Sequence, residues 1–494
     1  MLKSLPNIIW YCTDQQRYDT IASLGNDFIN TPNIDKFIKN GFAYKNAYVQ
    51  SPICTPSRSS FLTGRYPATT HAHRNGADYF PPNEILISKM LKDAGYDCGL
   101  IGKLHLAAAE GGVEKRSDDG YRVFQYSHDS VAGKINVESN DYKKWLKEEK
   151  KVDLEELYAP INNFCCDGVP EEYHQTTWCT DMAIKFIEEP RDKPWMLSIN
   201  PFDPHPPFDP PKEFRDKYNP EDLPSPLFKK NDIIRQKKFS KVSQQAIEAI
   251  DPSGKNQEPP KKGGYINAGN YPPESFNGKE VKAAYYAMIE LIDKHFGRLV
   301  DYLKEKNELE NTLIIFHSDH GEMLGDHGLI YKGSRFFEGL VHVPLIFSWE
   351  NKLTNNVVSD ALVELVDIVP TILEAAGIKI PYYIQGKSLM PMMIGEKPYD
   401  FHKPFVVSEF NDSLGSPKVY QLTHATMVFD GRYKTIIYHG LNFGEIYDLE
   451  KDPGEFDDLW DSNINPDLKF KLLHKHIDAV MSTSSAGVER KGRF

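Results

Sequence analysis

Six short stretches of this 494-residue sequence carry side chains able to do chemistry together. Asp14-Gln15 closes the apolar run "NIIWYCT", and Asp319-His320 follows "LIIFHS", about 300 residues later. Either pair alone reads equally as an ordinary turn or helix cap. Two such pairs, each ending an apolar strand, supply oxygen and nitrogen donors of the kind that hold a hard divalent cation. "GKLH" adds Lys103 and His105, "NPFDPHPPF" adds Asp203 and His205, and "GDHGLIYKG" adds Lys332. A lone histidine is usually structural, but two histidines and two lysines beside a cation make a site suited to a doubly anionic or tetrahedral anionic group. The sixth stretch, "SPICTPSRSSFLTGRYP" at 51 to 67, gathers Cys54, Pro56, Arg58 and Arg65. Its cysteine is open to four readings from the residues alone: packing, metal ligand, half a disulfide, or nucleophile. A tyrosine-phosphatase loop is ruled out, because its arginine would fall where this sequence has Ser60.

These residues can meet only if the elements between them form a suitable frame. Apolar strands are expected at Ile8 to Cys12, Trp195 to Asn200 and Thr312 to His317. Helices are expected in "TPNIDKFIKNG", in "LISKMLKDAGYDCGLIGK" before Gly95, in "DMAIKFIEE" and in "AAYYAMIELIDKHFGRLVDYLKEK". Helices alternating with fully apolar strands predict an α/β fold with a large, mostly parallel central sheet sandwiched by helices, and ligands beyond the carboxyl ends of the strands. The catalytic domain is expected over 1 to 385, with an insertion or lid at about 218 to 278. A small C-terminal α+β subdomain is expected over 386 to 494, containing an antiparallel sheet built from runs such as "HATMVFDG" and "YKTIIYHG".

Composition narrows the class. The chain is 40% hydrophobic, with a formal net charge of -12, which argues against a nucleic-acid partner and requires any anionic substrate to be captured locally. Six cysteines in so long a chain do not form a disulfide framework or a structural zinc pattern, and they are expected to be mostly reduced and buried. No apolar run approaches the roughly 20 residues of a membrane helix. The opening residues leave no room for a signal peptide, so the expectation is cytoplasmic as written, or periplasmic or secreted if a leader has been removed.

The run "CTPSRSSFLTGR" resembles the signature of the type I, formylglycine-dependent sulfatases of the alkaline phosphatase superfamily, and the chain is similar to bacterial glycan sulfatases. The motifs "PNIIWYCTDQQRYDT", "IGKLH", "FDPHPPF", "SDHGEMLGDHGLIYKG", "VDIVPTILEAAGI" and "EIYDLEKDPGEF" extend the resemblance over nearly the whole chain. It implies that Cys54 is converted to formylglycine (3-oxoalanine) by a maturation enzyme that reads the C-T-P-S-R segment, with Arg58 later bracing the aldehyde hydrate. It also implies one divalent cation, calcium first with manganese, magnesium or zinc as alternatives, on Asp14, Gln15, residue 54, Asp319 and His320. Gln15 replaces a second aspartate of the commonest pattern, and His320 stands where some members have asparagine.

The implied reaction is sulfate-ester hydrolysis through a sulfo-enzyme intermediate. In that scheme His205 protonates the leaving alcohol, His105 takes a proton from the second hydroxyl, and Lys103 and Lys332 neutralise the sulfuryl oxygens. Hydrolysis of phosphonate monoesters or phosphodiesters is the alternative within the same superfamily, and an unmodified carbohydrate-binding protein is a third reading. Residues 226 to 262 hold nine Lys or Arg against four Asp or Glu. That excess, with His71, His73 and Arg74, could hold the carboxylates or sulfates of a polysaccharide fragment, and the resemblance to bacterial glycan sulfatases implies a sulfated saccharide of the glycosaminoglycan type, with a uronate 2-O-sulfate as the favoured position. A solvated lid and a satisfied loop explain the same residues equally well.

Overall fold

The computed structural model describes residues 5–109, 113–129, 139–161, 163–240, 242, 248–254, 273, 275–411, 423–462, 465–484, 487 and 491–492. Eight strands form the main sheet: β1 (Asn7–Thr13), β2 (Phe42–Tyr48), β3 (Asp97–Gly102), β4 (Val123–Tyr126), β5 (Trp195–Asn200), β6 (Thr312–Ser318), β7 (His342–Ser348) and β8 (Val357–Glu364). Their order is β4-β3-β5-β1-β6-β7-β2-β8. All neighbours are parallel except β7, which runs antiparallel to both β6 and β2. The central strands are buried on both faces, which is why they read as unbroken apolar runs.

The two-residue period of β1 shows how the layers divide. Ile8, Trp10 and Cys12 pack into one hydrophobic core with Phe61, Leu62, Ile368 and Val369, whereas Ile9 and Tyr11 pack into another with Trp178, Cys179, Ile292 and Phe296. The first core is covered by α2 (Cys54–Thr63) and the second by helices including α1 (Pro32–Lys39) and the 28-residue α5 (Gly278–Glu305). Between these in sequence lie α3 (Ile87–Asp93) and α4 (Gln175–Glu188). Helix α5 turns Ile289, Ile292, Phe296, Leu299 and Leu303 inward, the three-to-four spacing of an amphipathic helix.

A second sheet is antiparallel, in the order β12-β11-β10-β9: β9 (Val406–Asn411), β10 (His424–Phe429), β11 (Tyr433–His439) and β12 (Phe443–Asp448). Helix α6 (Ile368–Ala375) precedes it and α7 (Pro466–Ser482) packs on it. Apolar side chains of both sheets share one core at the join, with the rings of Tyr48 and Phe429 5.3 Å apart, and a charged cluster is buried beside them. Lys434 reaches Glu338 Oε1 at 2.6 Å and Glu455 Oε1 at 2.8 Å, with its side chain fully enclosed.

Among the described part of 218 to 278, Arg235 donates to the carbonyls of Glu455 and Phe456 at 2.9 and 2.8 Å, and Lys238 pairs with Asp458 at 2.8 Å. These two cations therefore hold the segment that follows the antiparallel sheet. Lys241, Lys255, Lys261 and Lys262 lie outside the described residues. All six cysteines are free; four are buried, and Cys165 and Cys166 are half-buried. No helix among the described residues is long and apolar enough to cross a membrane.

Candidate active site

The carboxyl ends of β1, β3, β5 and β6 point to one edge, and the chemically equipped loops follow them directly. After β1 come Asp14 and Gln15, after β3 Lys103 and His105, after β5 Asp203 and His205, and after β6 Asp319 and His320. Gly102 makes the β3 turn possible: its φ is +97°, and a Cβ there would sit 2.0 Å from the carbonyl oxygen of Asn200. Cys54 enters from above as the first residue of α2.

Every side chain of α2 from Cys54 to Thr63 is buried, so its polar groups must be paired internally. Ser57 donates to the carbonyl of Asp319 at 2.5 Å. Arg58 donates to Asp319 Oδ2 at 2.9 Å, to Asp14 Oδ2 at 3.3 Å and to the Lys103 carbonyl at 3.2 Å. It thus ties three strand ends together beneath residue 54. Gly64 ends the helix at φ +70°, pressed against Val369 and Ile384.

Ligand atoms from Asp14, Cys54, Asp319 and His320 all lie within 4.8 Å of one another, and all four residues are buried. Asp14 Oδ1 is buried without a hydrogen-bond partner among the described residues. A buried carboxylate oxygen left open toward a nitrogen and further oxygens fits a divalent cation. Gln15 stands at the same place with φ 74°, its Oε1 accepting from Lys332 at 2.9 Å and its amide held by Glu322.

Lys332 is the second organising cation. Its Nζ lies 2.9 Å from Cys54 Sγ and 3.0 Å from His205 Nε2. Lys103 Nζ pairs with Asp14 Oδ2 at 2.5 Å. Burial alone would push the Cys54 thiol up, but Lys332, Lys103 and His320 outweigh it and bring the thiol down to about 5. Position 54 therefore sits in a field that favours negative charge, whatever atom occupies it. Burial followed by Lys332 pushes His205 well below its ordinary value, and burial followed by Lys103 and Arg58 does the same to His105. His105 Nδ1 is buried with no hydrogen-bond partner among the described residues, and its backbone N–H donates to Glu114 at 2.6 Å.

The structure thus gathers Asp14, Gln15, Cys54, Arg58, Lys103, His205, Asp319, His320 and Lys332 into one hydrogen-bonded cluster. His105 borders it, with its carbonyl accepting from Thr55 at 3.1 Å. Asp203 points away: its carboxylate accepts from Thr176 at 2.8 Å, so it shapes the loop from behind. His73 and Arg74 lie on the neighbouring loop, half-buried and exposed respectively, and Asn75 accepts from the Thr55 N–H at 2.9 Å. Sequence reasoning missed Glu322, which fixes Gln15, and His128, whose ring meets that of His105 edge-on at 4.8 Å. Glu322 lay inside a quoted motif, "SDHGEMLGDHG", and could have been found there; His128 belongs to no motif and had no sequence signal.

Comparison with known proteins agrees with this geometry. The sulfatase family model matches residues 6–378, and the model for the C-terminal part of N-sulphoglucosamine sulphohydrolase matches residues 325–482. An arylsulfatase of Clostridium perfringens is 33% identical over 475 residues, covering 92% of this chain and 90% of its own. An N-acetylglucosamine-6-O-sulfatase of Bacteroides thetaiotaomicron is 26% identical, covering 92% and 82%. Among solved structures, a phosphonate monoester hydrolase of Agrobacterium radiobacter superposes with a TM-score of 0.80 at 21% identity, covering 97% of this chain and 96% of that one. With a family model spanning most of its length and a relative at one-third identity over nearly all of it, the chain belongs to the sulfatase family, as a sulfuric ester hydrolase with the alkaline phosphatase-like fold.

Proposed function

We propose that this sulfatase removes sulfate esters from sulfated saccharides of the glycosaminoglycan type, with a uronate 2-O-sulfate as the favoured position, using formylglycine made from Cys54. The observation that carries the reading is the cluster itself: Lys103, Lys332 and Arg58 gather around position 54 in a buried cluster that also offers the open oxygen of Asp14. Formylglycine, once hydrated, supplies two hydroxyls on one carbon, one to attack sulfur and one to expel sulfate. Asp14, Gln15, Asp319, His320 and residue 54 would hold a divalent cation, calcium on the weight of oxygen donors, which supplies charge stabilisation for the sulfuryl oxygens.

The chain's own residues do the rest. Lys332 and Lys103 bind the sulfuryl oxygens and fix the sulfur in line with position 54. His205 presents Nε2 to the leaving oxygen and delivers a proton to it as the sulfur–oxygen bond breaks. His105 removes the proton of the remaining hydroxyl when sulfate departs. Arg58 keeps residue 54 and the carboxylates of Asp14 and Asp319 in one register. The relative from Bacteroides thetaiotaomicron, named for N-acetylglucosamine 6-O-sulfate hydrolysis, supports a saccharide substrate.

The second reading, phosphonate monoester hydrolysis, is favoured by the fold match to the Agrobacterium enzyme, which at 21% identity speaks for fold alone. Steady-state assays separate the two. With residue 54 converted, a panel of sulfated mono- and disaccharides is expected to be turned over with higher kcat/KM than a matching phosphonate monoester. The reverse order would overturn the assignment.

A further inference from the structure

Beside the site a cleft of about 320 Å³ lies between the loop around residues 68 to 75 and the end of the antiparallel sheet. Its sheet wall is a row across three strands. His424 on β10 stands directly opposite Asn411 on β9 and His439 on β11, with Thr426 beside them donating or accepting at His439 Nε2 over 2.8 Å. His73 faces the row from the catalytic side. The one carboxylate lining the cleft among the described residues, Glu409, is turned inward: its Oε1 accepts from the Ala68 N–H at 3.1 Å, and burial pushes it up to about 7. Among the described residues the cleft therefore presents imidazole, amide and hydroxyl groups, with its carboxylate held inward, in a protein whose net charge is -12.

The cleft is tied to the chemistry by short links. Ser59 of α2 donates to the Ala72 carbonyl at 3.2 Å, and Asn75 accepts from the N–H of Thr55, next to Cys54. The Glu409 N–H of β9 donates to the carbonyl of Gln50, four residues before Cys54. The volume falls at the small end of ligand pockets and suits one sugar ring.

We infer that this cleft binds an anionic substituent, carboxylate or second sulfate, on the saccharide residue adjoining the one that is desulfated, so that the C-terminal sheet selects substrate charge. The inference rests on the saccharide-sulfatase reading and adds to it His424, His439 and Asn411, which no catalytic motif contains. A neutral imidazole still offers one N–H donor, so His73, His424 and His439 can each donate to an anion held between them.

The test compares wild type with the double variant His424→Ala/His439→Ala. The substrates are 4-methylumbelliferyl sulfate and defined glycosaminoglycan disaccharides, with and without a second sulfate and with the uronate intact or reduced to the alcohol. On the anionic disaccharides the double variant is expected to lose about tenfold or more in kcat/KM, mainly through KM, beyond any loss on the aryl sulfate. The arm in which the wild-type advantage disappears, reduced uronate or absent second sulfate, identifies the anion. His424→Gln/His439→Gln, which keeps donors, is expected to recover part of the loss and guards against misfolding. Equal losses on aryl sulfate and disaccharide, or a wild type that cleaves the aryl sulfate but no disaccharide, would overturn the inference while leaving the sulfatase intact. A converted enzyme that cleaves no sulfate ester at all would overturn both.

Discussion

Replacing His205 by alanine tests the assignment of the leaving-group acid, and the structure sets its size. His205 Nδ1 lies 2.6 Å from the carbonyl of Pro206, which can only accept, so Nδ1 carries the proton and Nε2 accepts from Lys332 at 3.0 Å. Burial and Lys332 together push this imidazole well below its ordinary value. A sulfate monoester brings one negative charge. At about 4 Å and an effective dielectric of about 20, it stabilises the imidazolium by roughly 4 kcal/mol, or about three pKa units. Substrate binding thus moves the imidazole toward the acid that the reaction consumes. An alkoxide leaving group needs that proton in the transition state and a nitrophenolate barely does. His205→Ala should therefore lose about 100-fold to 10,000-fold in kcat/KM on a sugar sulfate and less than about 10-fold on nitrophenyl sulfate. Steady-state kinetics of both proteins on both substrates supply the comparison. Equal losses would show that His205 binds the sulfuryl group and is not the acid.

Cys54→Ala is expected to abolish turnover while leaving the thermal unfolding midpoint near that of wild type, and active protein should show a peptide around residue 54 about 18 Da lighter than the cysteine form; turnover by the alanine variant would refute the nucleophile. Chelation should abolish activity and calcium restore it; recovery with manganese or zinc alone would mean that the nitrogen of His320 decides the metal. His317, buried and pushed down to about 3 by its burial, is neutral in the folded state, accepting from Trp10 and bonded to the Ser318 carbonyl. Its folded pKa lies below the unfolded value of about 6.5, so its contribution is complete above that pH and is lost as pH falls toward 3, by up to about 1.4 kcal/mol per pH unit. His317→Gln should flatten the acid side of a denaturant-measured stability profile, and an unchanged slope would refute the linkage. Lys434→Met strands Glu338 and Glu455 and should cost about 3–5 kcal/mol in denaturant unfolding; a loss under about 1 kcal/mol would show the cluster to be hydrated.

The strand Trp195–Asn200 and the long helix before Thr312 were legible because a buried parallel strand and an amphipathic helix each impose their own period. Strand direction was not. "HVPLIFS" carries the same apolar pattern as its neighbours, and nothing in it says that β7 runs antiparallel within the sheet. The candidate site was legible where a charged side chain directly follows an apolar strand, as at Asp14, Lys103 and Asp319, and at His205 through its motif, five residues past β5. It was illegible where a residue acts on another residue: Glu322 matters through Gln15, and the row Asn411–His424–His439 exists only once three strands are in register. Asp203 shows the converse, an acidic residue in a motif whose side chain faces the scaffold.

The enclosure of α2 sets a schedule. Cys54 and Arg58 are each 1% exposed, and the segment between them is wound into a helix whose groups are spent on Asp14, Lys103 and Asp319. A modifying enzyme that reads this segment in extended form cannot grip it once α2 has docked. If Cys54 is converted as proposed, its conversion would compete with folding, and a molecule that closed first would stay a thiol for as long as it stayed native. The active fraction of a preparation would record a race won or lost during synthesis, and longer incubation of folded protein would not change it.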